Sequence, residues 1–172
     1  MRRVLLTGMS GTGKSTLIRE LAARGYRAID LDTDEWSEWV RVEGGPDEPV
    51  PAGDPESLWQ DRDWMWREER VETLLSTNDA DPLFVGGTAP NQGKFRTWFD
   101  QIILLSAPDE VLVERLRTRT TNAYGRHPYE LARVLEHVRT VEPLLRRTAT
   151  LEIDTNAPLD QVVATVLNVV LS

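Results

Sequence analysis

The chain has 172 residues, 40% of them apolar, which suits one domain with a sizeable core and excludes disorder as its main state. Acidic residues outnumber basic ones by 28 to 20, and the net charge of -8 argues against a broad nucleic-acid track or an anionic-membrane binder. Cysteine is absent and the only histidines, His127 and His137, lack ligand-like spacing, so disulfide frameworks and thiolate zinc sites are excluded too.

The first apolar run, Val4-Leu5-Leu6, stops at Thr7-Gly8, too early for a secretory leader, and reads as a buried strand. Gly8-Met9-Ser10-Gly11-Thr12-Gly13-Lys14-Ser15-Thr16 follows and matches G-x-x-x-x-G-K-[ST] in full. It lies between that strand and a helix predicted over 14–24, the setting such a loop requires. Gly8, Gly11 and Gly13 let the backbone curl so that its N–H groups, including those of Thr12 and Thr16, face phosphate oxygens. The helix N-terminus adds positive potential. Lys14 is predicted to reach the terminal phosphates, and Ser15 to offer its hydroxyl to Mg²⁺. Lys14 and Lys94 are the only lysines in a chain otherwise served by arginine, so the loop keeps the one cation type its chemistry calls for.

The second strand, around Ala28-Ile29, leads into Asp30-Leu31-Asp32-Thr33-Asp34, at the strand end where ligands of open α/β sheets gather. In an extended segment Asp32 and Asp34 share a side, and Asp30 faces away. Two carboxylates there can divide the work: Asp32 orients the metal, and Asp34 activates or anchors an attacking hydroxyl. Asp34 as the cap of a following helix is the plain alternative.

Residues 35–78 read as an inserted cap rather than a separate domain, with an irregular Gly/Pro/acid-rich stretch at 43–56 flanked by tryptophans. A helix is predicted near 57–77, on which Trp59 and Trp66 share one face while Trp64, Val71, Leu74 and Leu75 form another. The tryptophans either pack under the loop or line a ring-stacking acceptor pocket, with Arg67 as an anion clamp. The third strand, Leu83-Phe84-Val85, runs into Gly86-Gly87. Beyond it Asn91 and Gln92 are placed either to meet acceptor hydroxyls or to cap a short helix near 94–99.

Ile102 to Leu105 is the fourth strand, and helices follow over 108–119 and 128–147. Arg115 and Arg119 are one helical turn apart, so a solvated face is the plain reading of both. Leu151-Glu152-Ile153 is the fifth strand. The apolar positions of 158–171 follow helical spacing and are too few to span a bilayer. The alternation predicts a single α/β domain over 1–172, helices on both faces of a parallel sheet, in a cytoplasmic protein.

With these residues in view, the chain resembles the shikimate kinase and nucleoside monophosphate kinase group of P-loop enzymes. The likeness rests on the loop, Asp32-Thr33-Asp34, Gly86-Gly87, the Arg-rich run 114–120 and the tail from Pro143 to Thr155. It implies a three-layer P-loop NTPase domain with a five-stranded parallel sheet in the order 2-3-1-4-5. It also implies ATP with Mg²⁺ as donor and a mobile lid near 117–130. Arg117 or Arg119 then resembles the arginine beside the adenine, and Arg126 a lid arginine that closes over the transferred phosphoryl group.

The acceptor side departs from that pattern. A third glycine is replaced by Thr88, a carboxylate-gripping arginine by Val141, and a glutamate after Arg67 by Arg70. The resemblance therefore implies an ATP-dependent phosphotransferase, monomeric or homodimeric, acting on a small molecule other than shikimate. Asp34, Arg67, Gly86, Gly87 and Asn91 are its candidate acceptor residues. A nucleoside or nucleotide kinase and an ATP-dependent regulatory switch are the alternatives.

Overall fold

The computed structural model describes residues 2–41, 62–78, 82–120 and 123–172. Its elements begin with β1 (Arg3–Thr7), α1 (Lys14–Ala23), β2 (Arg27–Asp30), β3 (Ser37–Arg41), β4 (Arg62–Trp66) and α2 (Glu68–Ser76). They continue with β5 (Leu83–Gly86), a 3-10 helix (Gln92–Trp98), β6 (Gln101–Ser106), α3 (Asp109–Thr118), α4 (Pro128–Thr140), α5 (Glu142–Thr148), β7 (Leu151–Asp154) and α6 (Leu159–Leu171).

Five strands form one parallel sheet in the order β2-β5-β1-β6-β7. Without the hairpin strands this is the expected order 2-3-1-4-5. Side chains alternate between faces along each strand, and the core divides accordingly. Val4 and Leu6 pack with Leu17, Leu21, Val163 and Val166 under α1 and α6. Leu5 joins Val71, Leu75, Val85 and Phe95 under α2 and the 3-10 helix. Such a sheet buries both faces, which is why its strands are near-continuous apolar runs.

Two predicted helices need correction. The stretch predicted as a helix near 57–77 holds β4 and the shorter α2, with residues through 61 outside the description. Arg62–Trp66 pairs antiparallel with Ser37–Arg41, Trp39 opposite Trp64, their rings 5.0 Å apart. Aromatic residues favour the extended pleat, and a cross-strand aromatic pair outweighs the helical spacing. The helical faces proposed for Trp64 and Trp66 therefore do not exist, and Trp59 and the stretch 43–56 lie outside the described residues. The helix predicted over 128–147 breaks at Val141, since Pro143 lacks an N–H and its ring would clash with the carbonyl one turn back.

Candidate functional site

The loop Gly8–Gly13 leaves the carboxyl end of β1, at the centre of the sheet, and delivers the chain into α1. Gly8 must be glycine, because a Cβ there would lie 2.4 Å from the Leu105 carbonyl oxygen. Gly13 caps α1 at φ 96, a left-handed conformation costly for other residues. α1 thus opens toward the cleft with the unpaired N–H groups every helix start leaves.

The loop's carbonyls are held from all sides. Thr88 at the end of β5 donates to Gly8 O at 2.7 Å and accepts from Gly8 N at 3.0 Å. Thr155, just beyond β7, donates to Thr12 O at 2.8 Å. Arg115 on α3 reaches Gly11 O at 3.1 Å, while its other contacts are Thr155 Oγ1 at 2.9 Å and Thr155 O at 2.6 Å. Lys14 Nζ donates to Gly8 O at 2.6 Å and Met9 O at 3.0 Å. Two loop amides are also engaged, Gly8 N by Thr88 Oγ1 at 3.0 Å and Thr12 N by Met9 O at 3.3 Å.

Lys14 is 8% exposed. Burial lowers its pKa, and the carboxylates of Asp32 and Asp30 oppose that shift. Burial pushes Asp32 up to about 6, Lys14 pulls it down and the Asp30 charge pushes it further up. Thr88 N donates to Asp32 Oδ1 at 3.4 Å, so the residue that anchors the loop also touches the carboxylate. Ser15 and Asp32 both line the cleft. Their hydroxyl and carboxylate oxygens are the hard donors Mg²⁺ takes alongside substrate phosphates, so the donor set fits that ion. Among the described residues no cluster of three or more His, Asp or Glu forms a self-contained metal cage.

Two readings of the aspartate segment change. β2 ends at Asp30, and Trp36 N and Ser37 N both bond to Thr33 O, so the chain turns where an extended course was predicted. The alternation argument joining Asp32 and Asp34 therefore fails, as does the idea that Asp34 caps a helix, since β3 follows. Asp34 is exposed on the turn. Asp30 does not simply face away: its Oδ1 accepts from Asp32 N at 2.9 Å, and its charge is felt by Lys14 and Asp32.

A cleft of about 410 Å³ runs from Ser10–Thr16 and Asp32 past Arg115 and Arg119 to Thr155, Ala157 and Leu159. Arg119 lines it, whereas Arg117 is exposed on α3 and does not. Burial lowers the Arg119 pKa, with the nearby charge of Arg126 acting the same way. Arg119 donates to Tyr124 O and Arg126 to Arg119 O, so the two arginines are tied to the loop between α3 and α4. Residues 121–122 of that loop lie outside the description.

At and just beyond the end of β5, Gly86 and Gly87 form an edge with no side chains. A Cβ on Gly86 would meet Ile18 Cγ1 at 2.6 Å. One on Gly87 would meet Trp66 Nε1 at 3.2 Å and Asp32 Oδ1 at 3.4 Å. Asn91 is buried and its amide is already engaged. Oδ1 accepts from Trp66 N at 3.1 Å, and Nδ2 donates to Trp66 O at 3.0 Å and Glu68 Oε1 at 3.3 Å. Arg67 is held by Glu38 at 2.7 Å and by the Asp34 carbonyl at 3.3 Å. Here Asn91 fixes the hairpin and Arg67 ties it to the aspartate turn.

Sequence reasoning overlooked Thr88 and Thr155 as loop anchors and read Arg115 as a solvated face. The signals were present, in the hydroxyl after Gly86-Gly87 and in the Asp154-Thr155 pair closing the last strand.

Residues 4–136 match the sequence profile of a family described as an AAA domain. No curated protein matches the chain. Among solved structures it is similar to shikimate kinase from Acinetobacter baumannii in complex with shikimate, at 20% identity and a TM-score of 0.63, over 99% of this chain and 93% of that one. Shikimate kinase from Bacteroides thetaiotaomicron matches at 16% identity and a TM-score of 0.60, over 99% of both chains. A gluconokinase from Sinorhizobium meliloti 1021 matches at 21% identity and a TM-score of 0.55, over 97% and 90%. At these identities the likeness establishes a shared fold.

Proposed function

The chain belongs to the AAA domain family, and from that premise we propose that it is an ATP-dependent phosphotransferase, moving the terminal phosphoryl group to a hydroxyl of a small molecule. The observation that carries this reading is the buried Lys14 beside the half-buried Asp32 at the mouth of a complete phosphate loop. The fold shared with shikimate kinase and gluconokinase supports it.

Lys14 leaves the Gly8 and Met9 carbonyls for the terminal phosphates, and the loop amides and the start of α1 hold the phosphate chain. Ser15 and Asp32 would hold Mg²⁺, which when bound neutralises phosphate charge. Arg119 and Arg126 approach as the lid closes, balancing charge on the transferred group and excluding water. The acceptor oxygen forms the new bond to phosphorus as the bond to ADP breaks. We assign the hydroxyl proton to the exposed carboxylate of Asp34. Nothing in this scheme needs a membrane: no helix among the described residues is long and apolar enough to cross one. We place the activity in the cytoplasm.

A coupled assay of ADP release, run on wild type and on Lys14→Ala and Asp34→Asn, tests the scheme. Acceptor-stimulated turnover in wild type should vanish in Lys14→Ala and fall about 100-fold or more in Asp34→Asn. Undiminished turnover in Asp34→Asn removes Asp34 from the mechanism, and undiminished turnover in Lys14→Ala removes the scheme.

A further inference from the structure

Building on the phosphotransfer reading, we propose that the indole N–H of Trp66 is the hydrogen-bond donor of the acceptor subsite, and that the acceptor is an uncharged hydroxylated ring molecule. Trp66 is 2% exposed, yet its Nε1 has no hydrogen-bond partner. Buried donors are almost always paired, so one that is not calls for a reason. Its position supplies one. The Cβ absent from Gly87 would sit 3.2 Å from Nε1 and 3.4 Å from Asp32 Oδ1. The orphan donor and the carboxylate beside Lys14 thus converge on the same bare backbone edge.

The indole is also held with more care than space-filling requires. Asn91 clamps both backbone polar groups of Trp66, and the Phe95 ring packs 5.7 Å from the indole. A purely apolar side chain would serve a packing role without leaving a polar atom unpaired. Nε1 is shielded from water, so an acceptor oxygen reaches it only as the indole and the Gly86–Gly87 edge part.

The local charges select the class of acceptor. Arg67 already has Glu38 at 2.7 Å, Lys94 has Glu68 at 2.7 Å, and Arg70 donates to the Glu35 carbonyl at 2.7 Å. An incoming carboxylate or phosphate would meet engaged cations and the acids Asp32 and Asp34. A hydroxylated ring offers an oxygen to the indole N–H, with no charge to repel.

The test measures ADP release from Mg²⁺–ATP with myo-inositol, D-ribose and uridine as uncharged probes, and with shikimate and D-gluconate as anionic ones. At least one uncharged probe should accelerate release fivefold or more while neither anion does. Acceleration by an anion, or by no uncharged probe, overturns the inference. With the accelerating probe, Trp66→Phe should raise KM at least fivefold, while its Mg²⁺–ATP affinity by calorimetry and its far-UV circular dichroism match those of wild type. A smaller rise in KM overturns the role of Trp66. In wild type, the Trp66 indole N–H resonance should shift on saturation with that probe and a non-hydrolysable ATP analogue, and an unmoved resonance is equally fatal. Calorimetry of Mg²⁺–ATP on the same sample separates the two readings. Absent ATP binding sinks phosphotransfer itself, whereas ATP binding with no uncharged acceptor sinks only this inference.

Discussion

The phosphate-loop cleft and the neighbouring Gly86–Gly87 edge with its hairpin are built on different principles. On the donor side the ligand-facing groups are backbone amides, and side chains from distant parts of the chain serve them: Thr88, Arg115 and Thr155 grip the loop's carbonyls. Beside it, a two-stranded hairpin that a buried Asn91 ties to the end of β5 carries the side chains we propose for the acceptor. Phosphate recognition asks for one curled backbone, so it leaves a compact motif. Recognition of a particular hydroxyl compound asks for a particular wall, and any pairing of strands that holds the wall will serve.

The contrast breaks most readily at Asp32, the residue that faces both. Its carboxyl is raised from the ordinary 3.8 to about 6, so the native chain favours its protonated form. That stabilising contribution is complete below the unfolded value and is lost as pH rises through about 6. Asp32→Asn should therefore stabilise the nucleotide-free protein at pH 8, by on the order of 1–3 kcal/mol, with little change near pH 4. Phosphotransfer should fall about 100- to 1,000-fold in the same variant. In wild type, kcat/KM should decline as pH drops through about 6, where Asp32 loses its charge. Thermal melts and rate profiles across pH check both signs, and a variant less stable at pH 8 would show that Asp32 is held ionised.

Arg115→Ala should act on the donor side alone. Removing its bonds to Gly11 O and Thr155 loosens the loop, and ATP affinity should drop about tenfold, measured by calorimetry, with acceptor KM little changed. Asn91→Ala is the mirror experiment with the smaller effect on binding. It frees the Trp66 backbone, lowers stability by about 1–3 kcal/mol in denaturant titrations and raises acceptor KM, while ATP affinity stays put. If Asn91→Ala weakened ATP as strongly as Arg115→Ala, the two sides would not be separable.

The same contrast decides what could be read in advance. Five strands and the phosphate loop were legible, because buried strands must be apolar runs and a phosphate cradle must have glycines at set spacing, while the strand order came from the family resemblance. Trp64 and Trp66 were misassigned because the seven-residue spacings from Trp59 to Trp66 and from Trp64 to Val71 are compatible with a helix, and Trp39, 25 residues before Trp64, is the partner that pairs it in a strand. Asp34 misled in the same way, since the turn at Thr33 depends on β3 coming next. Arg115 and Thr155 lie 104 residues from Gly11 and 143 from Thr12, separations that no local pattern records.

In the proposed scheme the loop from Gly8 to Thr16 grips the phosphates of ATP through Lys14. Titrating Mg²⁺–ATP into the folded protein by calorimetry tests it most directly. Saturable binding of about one nucleotide per chain, weakened about 100-fold by Lys14→Ala, is the outcome predicted from the loss of charge-assisted bonds. Folded wild-type protein that gives no binding heat, or a Lys14→Ala variant that binds as tightly as wild type, would contradict it.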